Sequence, residues 1–315
     1  MNRRSRLERL RRLYLVGCAG LTVAWLLGQL AQTAPWPLDL LSYLPAAPIA
    51  VFLLIAAAHL RGPGRRRARW AALLGAGVLT VHVAVVDMAK TPPGDGHSAD
   101  AAIGSYRLVH WNLFRDYLAW APKIERLRQL EADVYVLNEV PRHVSRGETA
   151  LRFGPGFTYA MEGALDSQMV IGCRGTVTAQ SYETWGRASA LWADCDIDAQ
   201  KLRILAVDMP ASPLEARRPL LEKLWADIEE RRPDLVAGDF NTPRRAGLLR
   251  HPPAGYRHAF EAVGSGWPYS WPTPISFLAI DQCLFAPTIE ALDLRYVSTW
   301  NSDHRLQIFD FAVVP

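Results

Sequence analysis

Two kinds of hydrophobic pattern divide this chain. The first ninety residues hold three long uncharged runs, and the remainder holds short alternating ones. No residue from Leu13 to Leu38 is charged, Leu40 to Leu60 is uncharged throughout, and Trp70 to Val86 is a shorter run that carries His82. About 20 apolar residues cross a bilayer core, so the pattern predicts three transmembrane helices at about 13–34, 40–60 and 70–87. A signal peptide would carry an apolar stretch of only about 7–15 residues, and further apolar runs follow the first one. His82 reads as a tolerated interior or interfacial residue.

From Tyr106 onward the runs shorten and alternate. Tyr106 to Trp111 reads as a strand ending at Asn112, and Asp133 to Leu137 as a buried strand that delivers Asn138 and Glu139. Met169–Cys173, Ala190–Ala193, Leu202–Val207 ending at Asp208, Leu235–Ala237, Ala279–Phe285 and Leu306–Val314 add further strands. Ile124, Leu127 and Leu130 share one helical face, as do Leu221, Leu224, Trp225 and Ile228 in a second helix with Pro219 near its first turn. Between the two halves, Pro92-Pro93-Gly94-Asp95-Gly96 has the composition of a linker. The expected organisation is a membrane anchor at 1–90, a linker at 91–105 and one globular domain at 106–315.

Charge orients the spans. Arginine crowds the N-terminus and recurs in R-G-P-G-R-R-R-A-R between the second and third runs, whereas Gln32 to Asp39 has no Lys or Arg. By the positive-inside rule the N-terminus is cytoplasmic, and three crossings leave the globular domain outside, close to the lipid bilayer. The net charge of +4 hides a split: residues 1–90 carry 12 basic and 3 acidic side chains, and residues 91–315 carry 23 and 28. A mildly acidic domain lacks the basic footprint that nonspecific nucleic-acid binding requires, so nucleic acid is the less favoured partner. Four cysteines (Cys18, Cys173, Cys195, Cys283) form no metal-binding spacing. Cys173 and Cys195 lie in neighbouring strand-like runs, where either buried thiols or a disulfide fits.

The chemistry gathers at strand ends. In V-A-G-D-F-N, Asp239 and Asn241 are two apart and face the same way if the strand persists, with Phe240 turned into the core. Taken alone, Gly-Asp-x-Asn is more often a turn than a catalytic centre. The same event recurs, however, at Asn112, Glu139, Asp281 and the pair Asp303-His304. Oxygen ligands with one histidine suit a hard divalent cation.

These motifs in this order resemble the endonuclease/exonuclease/phosphatase superfamily, the deoxyribonuclease-I-like fold. The residues that carry the resemblance are W-N (Asn112), L-N-E where the family usually has L-Q-E (Glu139), G-D-F-N, an I-D strand (Asp281) and S-D-H near the chain end. The resemblance covers about Tyr106 to Pro315. It implies an α+β fold, a two-sheet β-sandwich flanked by helices, and metal-dependent attack of water on a phosphate ester or anhydride. Glu139 would be the main ligand of Mg²⁺ (Mn²⁺ as the alternative), with Asn112 and Asp303 near the same ion. Asp239 would orient and deprotonate water, and Asn241 would hold a phosphate oxygen or the nucleophile. His304 would bind the phosphoryl group, and Asp281 would fix its tautomer. One position departs from the family. In V-D-M-P, Asp208 stands where a phosphate-binding histidine is expected, and its charge would need a second cation or an arginine, for which Arg187 and Arg244 are candidates.

Three spans before such a domain resemble the membrane-anchored bacterial members of the superfamily, some of which remove phosphate from undecaprenyl pyrophosphate. The expected activity is therefore that of a tethered phosphohydrolase acting on a lipid-linked or other phosphate outside the cytoplasm. An extracellular nuclease and a catalytically degenerate ligand-binding module are the alternatives; Asp208 supports the last. Trp267, Tyr269 and Trp271 in a Pro-rich loop read as a packed loop, a substrate lip or an interfacial anchor.

Overall fold

The computed structural model describes residues 3–30, 34–88, 104–115, 118–141, 156–163 and 168–314. The linker expected at 91–105 lies almost wholly outside the described residues. The chain divides into two compact units, one of helices and one of sheets.

In the helical unit, helices run over Arg3–Leu30, Ala46–His59 and Arg66–His82, and the last continues as a π turn over Val83–Asp87. Leu53, Ala56, Ala57, Ala76 and Leu79 are buried together, and the alanines among them let the backbones approach closely. Among the described residues two helices, Arg6–Leu30 and Arg66–Asp87, have the length and apolarity to cross a bilayer. The expected second span at 40–60 takes a different form. Its first residues fall in a 3₁₀ turn, Leu38–Tyr43, and the helix that follows has 14 residues, about 21 Å at 1.5 Å each. That is short of the roughly 30 Å hydrocarbon core. Pro45 explains the division: it holds Leu44 extended (φ −64°, ψ 121°) and starts the helix instead of extending one.

The second unit stacks two mixed sheets face to face with helices outside, so the α+β sandwich expected from the sequence is present. The first sheet contains β1 (Ser105–Asn112), β2 (Val134–Val140), β3 (Phe157–Glu162) and β4 (Gln168–Arg174). The second contains β5 (Thr176–Trp185), β6 (Ala188–Ile197), β7 (Gln200–Asp208) and β8 (Leu235–Asp239). Later in the chain come β9 (Arg257–His258), β10 (Gly264–Ser265), β11 (Asp281–Phe285), β12 (Ile289–Val297) and β13 (Leu306–Val313). The strand orders are β10-β12-β13-β1-β2-β4-β3 and β5-β6-β7-β8-β11-β9.

Alternation along each central strand fills three layers. Leu108, Val136, Ile204, Leu235 and Phe309 point between the sheets. Val109, Trp111 and Leu137 point outward onto the helix Trp120–Arg128 through Ile124 and Leu127. Leu205, Val207, Val236 and Phe240 point outward from the other sheet onto Leu221, Leu224, Trp225 and Ile228 of the helix Arg217–Arg231. All four cysteines are buried free thiols; Cys173 and Cys195 belong to different sheets and meet in the layer between them.

Two parallel pairs set where the chemistry gathers. β1 and β2 run parallel with Asn112 opposite Asn138, and β7 and β8 run parallel with Asp208 opposite Asp239. β11 enters antiparallel with Asp281 opposite Asp239. β13 enters antiparallel to β1 with Gln307 opposite His110, directly after the Ser302-Asp303-His304 segment. Carboxyl ends of four strands and amino ends of two thus meet at one end of the sandwich.

Candidate active site

Asp239 sits at the centre of this end, 2 % exposed. The strand geometry does not persist beyond it, because β8 stops at Asp239 and Asn241 takes φ 45°. Asp239 Oδ1 accepts the Asn241 amide at 2.9 Å, an Asx turn. The turn reading and the site reading therefore describe the same residues: the turn presents the Asn241 side chain, whose Nδ2 donates to the Met209 carbonyl at 2.9 Å. Gly238 is required for a different reason. A Cβ there would lie 2.0 Å from the Val207 carbonyl oxygen, so only glycine lets β7 and β8 bring their ends together.

Across the sandwich, Asn112 Nδ2 donates to Asp239 Oδ2 at 3.0 Å, joining the end of β1 to the end of β8. His304 Nε2 lies 3.8 Å from the same oxygen, and its Nδ1 is 2.8 Å from Asp281 Oδ2. The 302–304 segment is fixed on β1: Ser302 Oγ donates to the Asn112 carbonyl (2.7 Å) and accepts the His304 amide (3.0 Å), while Trp111 Nε1 donates to the His304 carbonyl (3.1 Å). Asp281 is caged in turn, its backbone amide donating to Ser270 Oγ at 3.1 Å and its carbonyl accepting from Gln307 at 2.9 Å.

This geometry sets the protonation states. Burial pushes the Asp239 carboxyl well above the usual carboxylate range; His304 opposes that, while Asp281 and Asp208 add to it. Burial alone would depress the His304 imidazolium, but Asp281 and Asp239 outweigh it and hold its pKa up at about 10. Burial would likewise raise Asp281, and the His304 charge and hydrogen bond overcome it, leaving Asp281 below its ordinary value.

The remaining sequence candidates are placed as follows. Glu139 takes φ 53° at the end of β2, one residue past the partner of Asn112, and its carboxylate lies 3.3 Å from Arg115 Nε. Asp303 accepts Trp271 Nε1 on Oδ2 at 2.9 Å, and its Oδ1 is 4.0 Å from His304 Nε2. Arg187 is not turned to Asp208: its side chain is 72 % exposed and pairs with Glu215 at 3.0 Å. Arg244 is buried with its guanidinium over the Phe260 ring at 4.5 Å and Nε 3.6 Å from Glu261.

Of the expected cation ligands Glu139, Asn112 and Asp303, Glu139 faces Arg115 and the Asn112 side chain is bonded to Asp239 and to the Phe114 amide. Asp303 Oδ1 is buried with no hydrogen-bond partner among the described residues, and the donors are hard oxygens. Asp239, Asp281 and His304 also bring one donor atom each within 4.8 Å of one another. There His304 Nδ1 bonds Asp281, and Nε2 is the ring nitrogen that faces Asp239, so the trio has the layout of a charge-and-proton relay and also offers a donor set for an ion.

His110 is the functional neighbour that strand-end reasoning passes over. It is fully buried, with Nδ1 3.9 Å from Asp281 Oδ1 and Nε2 3.1 Å from Asn138 Oδ1, and Asn138 Nδ2 donates to the Val207 carbonyl at 2.8 Å. Burial depresses its pKa. The signal was available: His110 lies two residues before Asn112 and so shares its face.

Solved structures with the same fold include an endonuclease/exonuclease/phosphatase from Bacteroides vulgatus (18 % identity, TM-score 0.56, 67 % of this chain and 99 % of that one). A mannosyl-6-phosphatase from Bacteroides thetaiotaomicron (12 %, TM-score 0.52, 66 % and 99 %) and D. rerio TDP2 complexed with a single-strand DNA product (17 %, TM-score 0.52, 67 % and 100 %) are similar too. No curated protein matches the chain by sequence. The model of the Endonuclease/Exonuclease/phosphatase family matches residues 109–304, from the middle of β1 through His304, and the chain belongs to that family.

Proposed function

We propose that this chain is a membrane-tethered, metal-dependent phosphohydrolase that acts outside the cytoplasm on a lipid-linked phosphate, with undecaprenyl pyrophosphate as the specific candidate. The observation that carries the hydrolytic part is the buried Asp239–His304–Asp281 arrangement, in which a carboxyl raised by burial faces an imidazolium held charged. A carboxylate with a raised pKa is the better proton acceptor near neutral pH. Asp239 takes a proton from the attacking water, an oxygen–phosphorus bond forms, and the bond to the leaving oxygen breaks. His304, oriented by Asp281, offers its charged Nε2 side to the phosphoryl oxygens, where charge develops. Asn112 keeps Asp239 Oδ2 in place, leaving Asp239 and Asn241 to align the water. Glu139, Asn112 and Asp303 would hold the divalent cation, Mg²⁺ or Mn²⁺, which when bound supplies Lewis acidity and neutralises phosphate charge.

The lipid-linked substrate and the location rest on sequence. Two long apolar helices support a tether and the arginine-rich segments beside them a cytoplasmic N-terminus; the placement outside further requires the uncharged run Leu40–Leu60 to cross as a third span, its short helix together with the 3₁₀ turn before it. The acidic balance of residues 91–315 argues against a polyanion as bulky as DNA. The test is Mg²⁺-dependent phosphate release from undecaprenyl pyrophosphate by the detergent-solubilised full chain. Absence of release alongside DNA degradation would replace this reading with a nuclease. Absence of both, with a biological phenotype that survives Asp239→Ala and His304→Ala, would leave a ligand-binding module, the reading that Asp208 favours.

A further inference from the structure

Of the large apolar side chains left exposed on the sheet-bearing unit, three lie on two segments that are stitched together beside Asp303. They are Trp267 (44 % exposed), Ile275 (79 %) and Trp300 (83 %). The Thr273 amide donates to the Asp303 carbonyl at 2.8 Å, and Thr273 Oγ1 to the Ser302 carbonyl at 2.7 Å. Arg305 adds two bonds from its guanidinium, to the Trp267 and Tyr269 carbonyls at 3.0 and 2.9 Å. Trp267 Nε1 donates to the Ser276 carbonyl at 2.7 Å, which turns the indole back along its own loop and leaves Ile275 at the tip. The rim is therefore a fixed shape, and Trp271 wires it to the chemistry through its bond to Asp303.

Exposed indoles and an exposed branched aliphatic at one loop cluster match the lipid interface. Tryptophan favours the headgroup boundary, and aliphatic tips enter the acyl region. Neither 267–278 nor 299–303 contains a Lys or Arg, and the neighbouring Arg305 has its guanidinium bonded to the Trp267, Tyr269 and Tyr296 carbonyls, so the attachment expected there is apolar. The inference rests on the tether proposed above, since the same chain then brings an apolar phase to the domain. We propose that Trp267, Ile275 and Trp300 insert into the lipid interface and hold the mouth of the Asp239–His304 centre against a phosphate carried at the membrane surface.

The four native cysteines are buried, so a thiol introduced at an exposed position takes up a polarity-sensitive maleimide fluorophore selectively. The full chain is reconstituted into phosphatidylcholine vesicles with the fluorophore at Ile275→Cys or, as control, at Lys201→Cys, at the start of β7 and so at the other end of the sandwich. The expected result is a blue-shifted Ile275→Cys label that brominated lipid quenches and that added salt leaves unchanged, with a water-exposed label at Lys201→Cys. A water-exposed label at Ile275→Cys in protein that resists carbonate extraction overturns the rim alone. Loss of the protein from carbonate-washed vesicles overturns the tether and the rim with it. Label burial that follows protein density and not lipid would mean that a second copy covers the rim, which also overturns the proposal. As a second readout, Ile275→Asp, at a side chain 79 % exposed, should lower hydrolysis of vesicle-borne phosphate at least about tenfold relative to detergent-dispersed phosphate. Equal rates on both would overturn the proposal even if the fold and the chemistry are intact.

Discussion

The two halves of the candidate site are built on opposite plans. Asp239, His304, Asp281 and His110 are enclosed, and each is held by a partner that is itself held. Glu139 and Asp303 are more open, with side chains 23 % and 29 % exposed, and the first faces Arg115 while the second keeps an oxygen that has no hydrogen-bond partner among the described residues. The enclosed half has its geometry before any ligand arrives, at the expense of burying like charges. The open half, on the function proposed above, would be completed by a cation. Preorganised dipoles are the larger catalytic asset, whereas an open oxygen set gives ligand dependence.

Asp239→Asn should break this division most sharply. Phosphate-ester hydrolysis should fall by roughly 10²–10⁴ as the proton acceptor is lost. Thermal stability should rise, because a buried carboxyl that burial disfavours is replaced by a neutral amide. A variant that loses both activity and stability would place Asp239 in a structural role. Next, Mg²⁺ or Mn²⁺ at a hundredfold excess over Kd should stabilise the folded chain by about 2.7 kcal/mol and raise its melting temperature accordingly. Calorimetry should show the gain abolished in Glu139→Gln and kept in Asp281→Asn. If Asp281→Asn abolishes it and Glu139→Gln does not, the ion belongs to the enclosed trio.

The enclosed half should also show in the pH dependence of stability. His304 has a folded pKa of about 10, above the unfolded value of about 6.5. Its contribution is thus fully present below about pH 6.5 and is lost as pH rises through about 10. Denaturant titrations should find this decline in the parent and a flatter profile in His304→Gln; parallel profiles would mean that the slope comes from other groups. The smallest effect concerns Asp208. Asp208→His should lower KM for a soluble phosphate several-fold, on the order of 1 kcal/mol, by replacing a repelling charge with a donor, and a raised KM would assign Asp208 to cation binding.

Much of this was legible because the central strands are buried on both faces or alternate cleanly, as in Leu235–Asp239 and Tyr106–Asn112. What the sequence hid has physical causes. β3 and β5 are sheet edges, and the latter is mostly exposed, so neither shows a strong apolar period. β12 carries Glu290, Asp293 and Arg295 among its apolar residues and a bulge at Ala291/Asp293, which blurs alternation. At the site, the ordered motifs pointed to Asn112, Asp239, Asp281 and His304, which meet through contacts no spacing rule could supply, since Asn112 and Asp239 are 127 residues apart. His110 was masked by its apolar neighbours Val109 and Trp111. Arg187, a candidate to offset Asp208, pairs with Glu215, because a nearby strand end does not fix where an exposed, flexible side chain finds its partner.

The bond from Asn112 to Asp239 and the bond from Asn138 to the Val207 carbonyl each run from one sheet to the other. The reactive centre is therefore a seam, and its width is set by whatever fills the layer between the sheets. Ile204, Phe309 and the neighbouring thiols of Cys173 and Cys195 act as the spacers of that seam, although none of them is among the strand-end residues of the site. Evolution can thus tune turnover in this chain from the middle of the sandwich, by changing a methyl group where no ligand is ever seen.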